Sequence, residues 1–179
     1  GIQLGPNVVR RLQAWGLQRA LVEVAAVPAQ LRVRSARSGA ELACMPLGAA
    51  MVERYGANYL SIHRADLHRV LLQAVGQRAD MHINAGQAVD SLVQAPHAVT
   101  ITTSAHKTIE GDALIAADGV WSPLRAQLLQ DGMAQPTGHL AYRAVVPQAR
   151  LPQALRSDGV TTWLGPHLHV VQYPLRRGD

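Results

Sequence analysis

The sequence predicts an α/β fold in which a mostly antiparallel β-sheet domain interrupts a core of helices and strands. Three observations carry that expectation. The stretch from Ser61 to Val75 reads as an amphipathic helix, with Leu67, Leu71, Ala74 and Val75 on one side and Val70 beside them. "GDALIAADG", Gly111 to Gly119, is apolar on both faces, the pattern of a strand inside a parallel sheet. The chain also leaves these patterns twice, between about Val22 and Leu47 and again from Gln135 on, for runs rich in β-branched, aromatic or alternating residues.

Taken in order, "GPNVVRRLQAWGL" opens with Pro6 and Asn7, which suit a helix start. Val8, Leu12 and Trp15 recur at helical spacing, and Gly16 is a stop signal. "LVEVAAVPAQLRVRSA" and "ELACMPL" read as short strands broken at Pro28 and Ser38-Gly39. The helix around Leu67 follows. After Gly76, three strands are expected, Met81 to Asn84, Ala88 to Gln94 and Ala98 to Thr103, the last two pairing across "APH". Ser122-Pro123 then offers an N-cap and a first-turn proline for the helix "PLRAQLLQ". "HLAYRAVV", "VTTWLG" and "LHVVQYPL" complete the chain as strands, with Gly178-Asp179 as a surface turn.

Composition narrows the classes. Of 179 residues, 48% are apolar and 16% charged, which describes a chain able to bury a core. No apolar run reaches the length of a membrane span, and no secretory signal stands at the start. A single cysteine, Cys44, excludes an internal disulfide and fits a reducing, cytoplasmic compartment; it reads as a packed residue. The net charge of +5 invites an anionic partner. The basic clusters at "RVRSAR" and "PLRRGD" form no stripe interleaved with aromatics, so neither nucleic acid nor membrane is the expected partner. The eight histidines lack metal-ligand spacing; His167 and His169 would share one face of a strand, but without an acidic or cysteine companion.

Two stretches carry chemistry. In "ALIAADGVWSPLR", Asp118 sits at the carboxyl end of an expected strand, where open α/β sheets bind ligands, and Gly119 permits close approach. An Asp-Gly pair is also an ordinary turn. In "HRADL", Asp66 suits a helix N-terminus, whereas Arg64 repeats the sign of the helix dipole. An anion would compensate, since backbone N–H groups and a guanidinium together clamp phosphate. Pairing of Arg64 with Glu53 or Asp66 is the competing account. "GIQLGPN" is a glycine-flanked loop leading into a helix, and it is neither a GxGxxG nor a Walker A motif.

Together "GIQLGPNVVRRLQAWGL", "HRADLHRVLLQAV", "GDALIAADGVWSPLR", "TGHLAYRAVVP" and "WLGPHLHVVQYPLRRGD" resemble, in family order, the group A FAD-dependent aromatic hydroxylases, in the salicylate hydroxylase and 3-hydroxybenzoate 6-hydroxylase branch. The resemblance implies a partial FAD-binding, Rossmann-like domain at residues 1–21 and 61–132. It implies substrate-domain β-structure at 22–60 and 133–179. It implies FAD as cofactor, NADH or NADPH as co-substrate, and hydroxylation of a small phenolic substrate by dioxygen through a flavin C4a-hydroperoxide. Arg64 then contacts the FAD, as do Gln3 and Leu4 of the loop near the flavin ring, Val89 through its backbone, and Asp118 and Gly119 of the DG motif with Ser122 and Arg125. His139, His169 and Tyr142 become the candidate catalytic side chains, and Arg143 and Tyr173 candidate pocket residues. A homodimer is compatible with the family. The family's N-terminal GxGxxG and its second Gly-Asp segment have no counterpart between Gly1 and Asp179, so the chain is expected to be a fragment; a truncated, non-catalytic remnant or binding module of the same fold is the alternative.

Overall fold

Proline and serine caps, glycine stops and short apolar alternations place most of the elements in the computed structural model, which describes residues 1–176. They run β1 (Ile2–Leu4), α1 (Pro6–Ala14), α2 (Gln18–Val24), β2 (Ala25–Ala26), β3 (Gln30–Ser35), β4 (Glu41–Pro46), α3 (Gly48–Tyr55), β5 (Leu60–Ile62) and α4 (Arg64–Gly76). Then come β6 (Val89–Ala95), β7 (Ala98–Thr103), β8 (Thr108–Gly111), α5 (Pro123–Leu129), β9 (Val160–Gly165) and β10 (Leu168–Gln172). The turn expected at Gly178-Asp179 lies outside the described residues. Contacts divide the chain into two units, Gly1–His82 with the chain from Ala144 on, and Ile83–Arg143.

In the first unit β5 is the centre of an antiparallel sheet ordered β1-β5-β2. Alternation sends Leu4, Leu60 and Ile62 to one face, where they meet Val9 and Leu12 of α1, Leu21 of α2, Ala25, Ala57 and Val70 of α4. Each fully buried leucine or isoleucine there contributes roughly 1.5–3 kcal/mol. A second sheet, β10-β9-β3-β4, is antiparallel except where β9 runs parallel to β3. Arg34 lies over the Trp163 ring at 5.5 Å, bracing that parallel pair across its register.

Several expectations are corrected here. Leu21 to Val24 is helical, because Leu17, Ala20, Leu21 and Val24 pack together at helical spacing and outweigh their β-rich neighbours. On α1 the inward residues are Val9 and Leu12, while Val8 and Trp15 are exposed. Cys44 is exposed on β4, the edge strand of its sheet, rather than packed. His167 does not share a strand face with His169. It sits at φ +57° in the two-residue turn between β9 and β10, where Gly165 is opposite Leu168.

The second unit is an antiparallel sheet ordered β6-β7-β8 with α5 against β6. β6 and β7 join across Pro96-His97, as expected, and β8 is an addition. The Ser122 hydroxyl accepts the Arg125 N–H at 2.9 Å and Pro123 occupies the first turn, so the predicted cap forms. Leu124 is buried against Leu92 and Val99. The Gln127 amide fastens α5 to β6, donating to the Leu92 carbonyl at 2.6 Å and accepting the Leu92 N–H at 3.1 Å. Residues 81–84, 113–118 and 139–146 form no strands. A strand exists through a hydrogen-bonded neighbour, and no described residue pairs with these runs. Ile115 is consequently 90% exposed and Tyr142 93% exposed.

Candidate functional site

The alternation that buries Leu4, Leu60 and Ile62 sends Gln3, Tyr59 and Ser61 to the opposite face of the β1-β5 pair. Gln3 lies opposite Ser61, and Tyr59 is its diagonal neighbour two residues along. The half-buried Tyr59 hydroxyl donates to Gln3 Oε1. The buried Ser61 hydroxyl donates to the Pro174 carbonyl at 2.6 Å, which seats the segment after β10 on this polar face. Tyr173 and Leu175 come so close to Gly1 that a Cβ there would fall 2.7 Å from Tyr173 Cε2 and 2.8 Å from Leu175 Cδ2. Burial, and next the adjacent Tyr173, push the Tyr59 phenol above its ordinary range, which keeps it protonated and a donor.

Helix α4 begins directly after β5. His63 is its N-cap, and Nδ1 accepts the Ala65 N–H at 3.3 Å. His63 thus enters as an acceptor, as a cap must be. Asp66, 2% exposed, receives Arg69 at 2.8 Å and the Arg176 Nε at 2.9 Å. The hydrogen bond from Arg176 holds its carboxyl below the usual range; burial opposes this, while the charges of Arg176, Arg69 and His63 reinforce it. Arg64 is exposed and forms no ion pair among the described residues; the partners weighed from sequence, Glu53 and Asp66, do not take it. An unpaired guanidinium at the start of a 13-residue helix, two residues beyond the strand that carries Ser61, is suited to an anionic group.

The other residues singled out from the sequence are distributed as follows. Leu4 is buried in the core on the opposite face from Gln3, so its side chain is committed to packing. His169 is exposed on β10 opposite Leu164, and Tyr173 is half-buried beside Gly1. Gln3, Arg64, His169 and Tyr173 thus belong to the first unit, whereas Val89, Asp118, Gly119, His139, Tyr142 and Arg143 belong to the second. Val89 opens β6 opposite Thr103. Asp118 is exposed, and Gly119, at φ +88°, accepts the Ser122 N–H at 3.2 Å. Arg125 binds Asp131 through Nε at 3.0 Å. His139, Tyr142 and Arg143 are exposed on irregular backbone, with His139 Nδ1 3.2 Å from the Thr137 hydroxyl. Among the described residues no group of His, Cys, Asp or Glu could hold a metal ion, and no helix is long and apolar enough to cross a membrane. Sequence reasoning missed Tyr59, Ser61 and the Asp66–Arg176 pair; the alternation of Tyr59 and Ser61 with Leu60 and Ile62 was the available signal for the first two.

Comparison with known proteins matches residues 3–171 to the family described as FAD binding domain. A 3-amino-4-hydroxybenzoate 2-monooxygenase of Streptomyces platensis is 40% identical over 177 residues, 99% of this chain and 44% of that protein. A 3-hydroxybenzoate 6-hydroxylase of Polaromonas naphthalenivorans is 34% identical over 179 residues, 100% of this chain and 44% of that protein. Among solved structures, Klebsiella pneumoniae HpxO complexed with FAD and uric acid superposes with a TM-score of 0.74 at 25% identity, over 99% of this chain and 44% of that one. The chain therefore spans less than half the length of these relatives.

Proposed function

This chain belongs to the FAD-binding domain family, and from that premise we propose that the intact protein is an FAD-dependent monooxygenase that hydroxylates a small phenolic ring. NADH or NADPH is the reductant and dioxygen the oxidant. The hydroxybenzoate names of the relatives support that substrate class. When bound, FAD supplies the acceptance of hydride and the activation of dioxygen. Within the first unit the residues present suit it: the exposed, unpaired guanidinium of Arg64 and the amide donors of Gln3 are groups that can bind a dinucleotide.

The exposed, unpaired Arg64 beside the buried, doubly paired Asp66 carries this reading. Arg64 binds the phosphate-bearing part of the cofactor. Gln3, with the backbone of Leu4, lies along the flavin; Val89 meets the adenine through its backbone; Asp118 and Gly119 receive sugar hydroxyls. Arg143 and Tyr173 line the substrate pocket. His139, His169 and Tyr142 are the candidate catalytic side chains, and of these the two histidines are the bases suited to take the phenol proton. Residues 1–21 and 61–132 act as FAD-binding segments, and 22–60 and 133–179 as substrate-domain segments, of a cytoplasmic protein able to form a homodimer.

Arg64→Ala in the intact protein tests the assignment. Loss of charge-assisted hydrogen bonds is expected to raise the FAD Kd about 10- to 100-fold by fluorescence titration. An unchanged Kd would overturn it. A colourless protein whose NAD(P)H consumption does not rise with salicylate or hydroxybenzoates would overturn the function as a whole.

A further inference from the structure

We propose that Asp66, together with Ser61, is a positioning residue that aims Arg64 at the anionic group of the cofactor. The inference rests on the reading that Arg64 binds the phosphate-bearing part of FAD.

Arg64 is the first residue of α4 and stands between two ties that run to one short segment. Before it, the buried Ser61 hydroxyl donates to the Pro174 carbonyl at 2.6 Å. After it, the Asp66 carboxylate accepts the Arg176 Nε at 2.9 Å. Residues 174–176 therefore grip the end of β5 and the first turn of α4 on both sides of Arg64. The helix dipole favours a carboxylate in this turn, but an exposed one would satisfy it. Asp66 is 2% exposed, and a buried carboxylate is costly unless it is paired, as this one is by Arg69 and Arg176. It lies one turn before the buried Val70 on the same face, where an apolar side chain would continue the buried stripe without that cost.

What the carboxylate adds is direction. The opening N–H groups of a helix have no partner within it, so this turn is the least fixed part of α4. Apolar contact is non-directional, whereas the bonds from Arg176 and from Arg69, at 2.8 Å, fix the rotation of the turn about the helix axis. At 3.6 residues per turn, side chains two positions apart point about 200° apart. Holding Asp66 inward therefore turns Arg64 outward, where it is exposed and forms no ion pair among the described residues. The same separation keeps Arg64 off Asp66. A guanidinium held at its base in the binding direction loses less freedom when it meets an anion.

Titration of the flavin-free intact protein with FAD, followed by flavin fluorescence, provides the test. Asp66→Asn keeps the shape and removes one negative charge. Charge alone would then tighten the binding of an anion, because the surroundings become more positive. Loss of aim acts in the opposite sense, and the FAD Kd is expected to rise about 5- to 10-fold. Arg176→Lys keeps the charge but not the directional fork; it reads the same tie where Asp66→Asn fails to fold, at about threefold. Ser61→Ala, a neutral change at the other tie, is expected to raise the Kd about twofold. In an Arg64→Ala background none of the three should add anything. With Arg64→Ala raising the Kd, an unchanged or lowered value in Asp66→Asn, or an unchanged one in Arg176→Lys, would overturn the role of Asp66 and leave Arg64 on the cofactor. An unchanged value in Ser61→Ala would do the same for Ser61. An equal rise in the Arg64→Ala background would also overturn the proposal, because the ties would then support the fold and not Arg64. An unchanged Kd in Arg64→Ala itself would remove Arg64 from the cofactor and the premise with it.

Discussion

The two units hold their polar groups in different ways. In the first, nine buried apolar residues support one face of a small sheet, and the other face gathers Gln3, Tyr59 and Ser61 under a segment from far along the chain. A buried carboxylate there has two cationic partners. The second unit has a cluster of three buried apolar residues, and its chief polar tie is the Gln127 amide gripping both backbone groups of Leu92. Its most apolar stretch, around Ile115, is exposed. Apolar sequence calls for burial but does not supply it; burial needs a partner, and the first unit finds its partners among residues distant in sequence.

Core truncation should separate the units most widely. Ile62→Ala, at a fully buried position surrounded by α1, α2 and α4, is expected to cost about 3–4 kcal/mol, and Leu124→Ala about 2 kcal/mol, read by urea unfolding with hydrogen exchange resolved by element. Equal losses would break the contrast.

Asp66→Asn comes next, at about 1–2 kcal/mol near pH 7, limited because both guanidiniums are more than half exposed. Its pH dependence sharpens the point. The folded carboxyl sits below its ordinary value of 3.8, so its stabilisation is complete above the unfolded value and fades as pH falls through the folded one. The wild-type advantage over Asp66→Asn should hold level from pH 7 to about pH 5 and shrink below about pH 4. An advantage that grows on acidification would contradict the pairing.

In the second unit, Gln127→Ala strands two backbone groups of Leu92 and is expected to cost about 1–2 kcal/mol, with faster exchange of the β6 amides. Ser122→Ala, which removes only the cap of α5, should cost about 1 kcal/mol, seen as faster exchange of the Arg125 amide. A larger effect from the cap than from Gln127 would mean that α5 is held by its own end and not by β6.

Legibility followed the range of the interactions involved. α1, α4 and α5 were readable because proline, serine and glycine act within a turn of themselves, and β7 because its alternation is bounded by tight turns. Leu21 to Val24 was misread because its branched side chains suggested a strand while its spacing was helical. The runs at 113–118 and 139–146 had strand composition, but composition carries no information about whether a neighbour is present to pair with. At the site, Arg64 stood out as a charge set against its helix dipole. Tyr59 did not, since its bond to Gln3 depends on the register of two strands and joins residues 56 positions apart. Family resemblance supplied the roles of the remaining candidates, most of which are exposed side chains without local signature.

The pair formed by Asp66 and Arg176 spans 110 positions. A ribosome adding about 5–20 residues per second completes the first turn of α4 some 5–20 s before Arg176 exists. Throughout that interval the carboxylate has Arg69 alone, and Ser61 lacks the carbonyl that will cap it. The nascent chain can therefore assemble its apolar sheet face early, whereas the polar face matures only near the end of this stretch of synthesis.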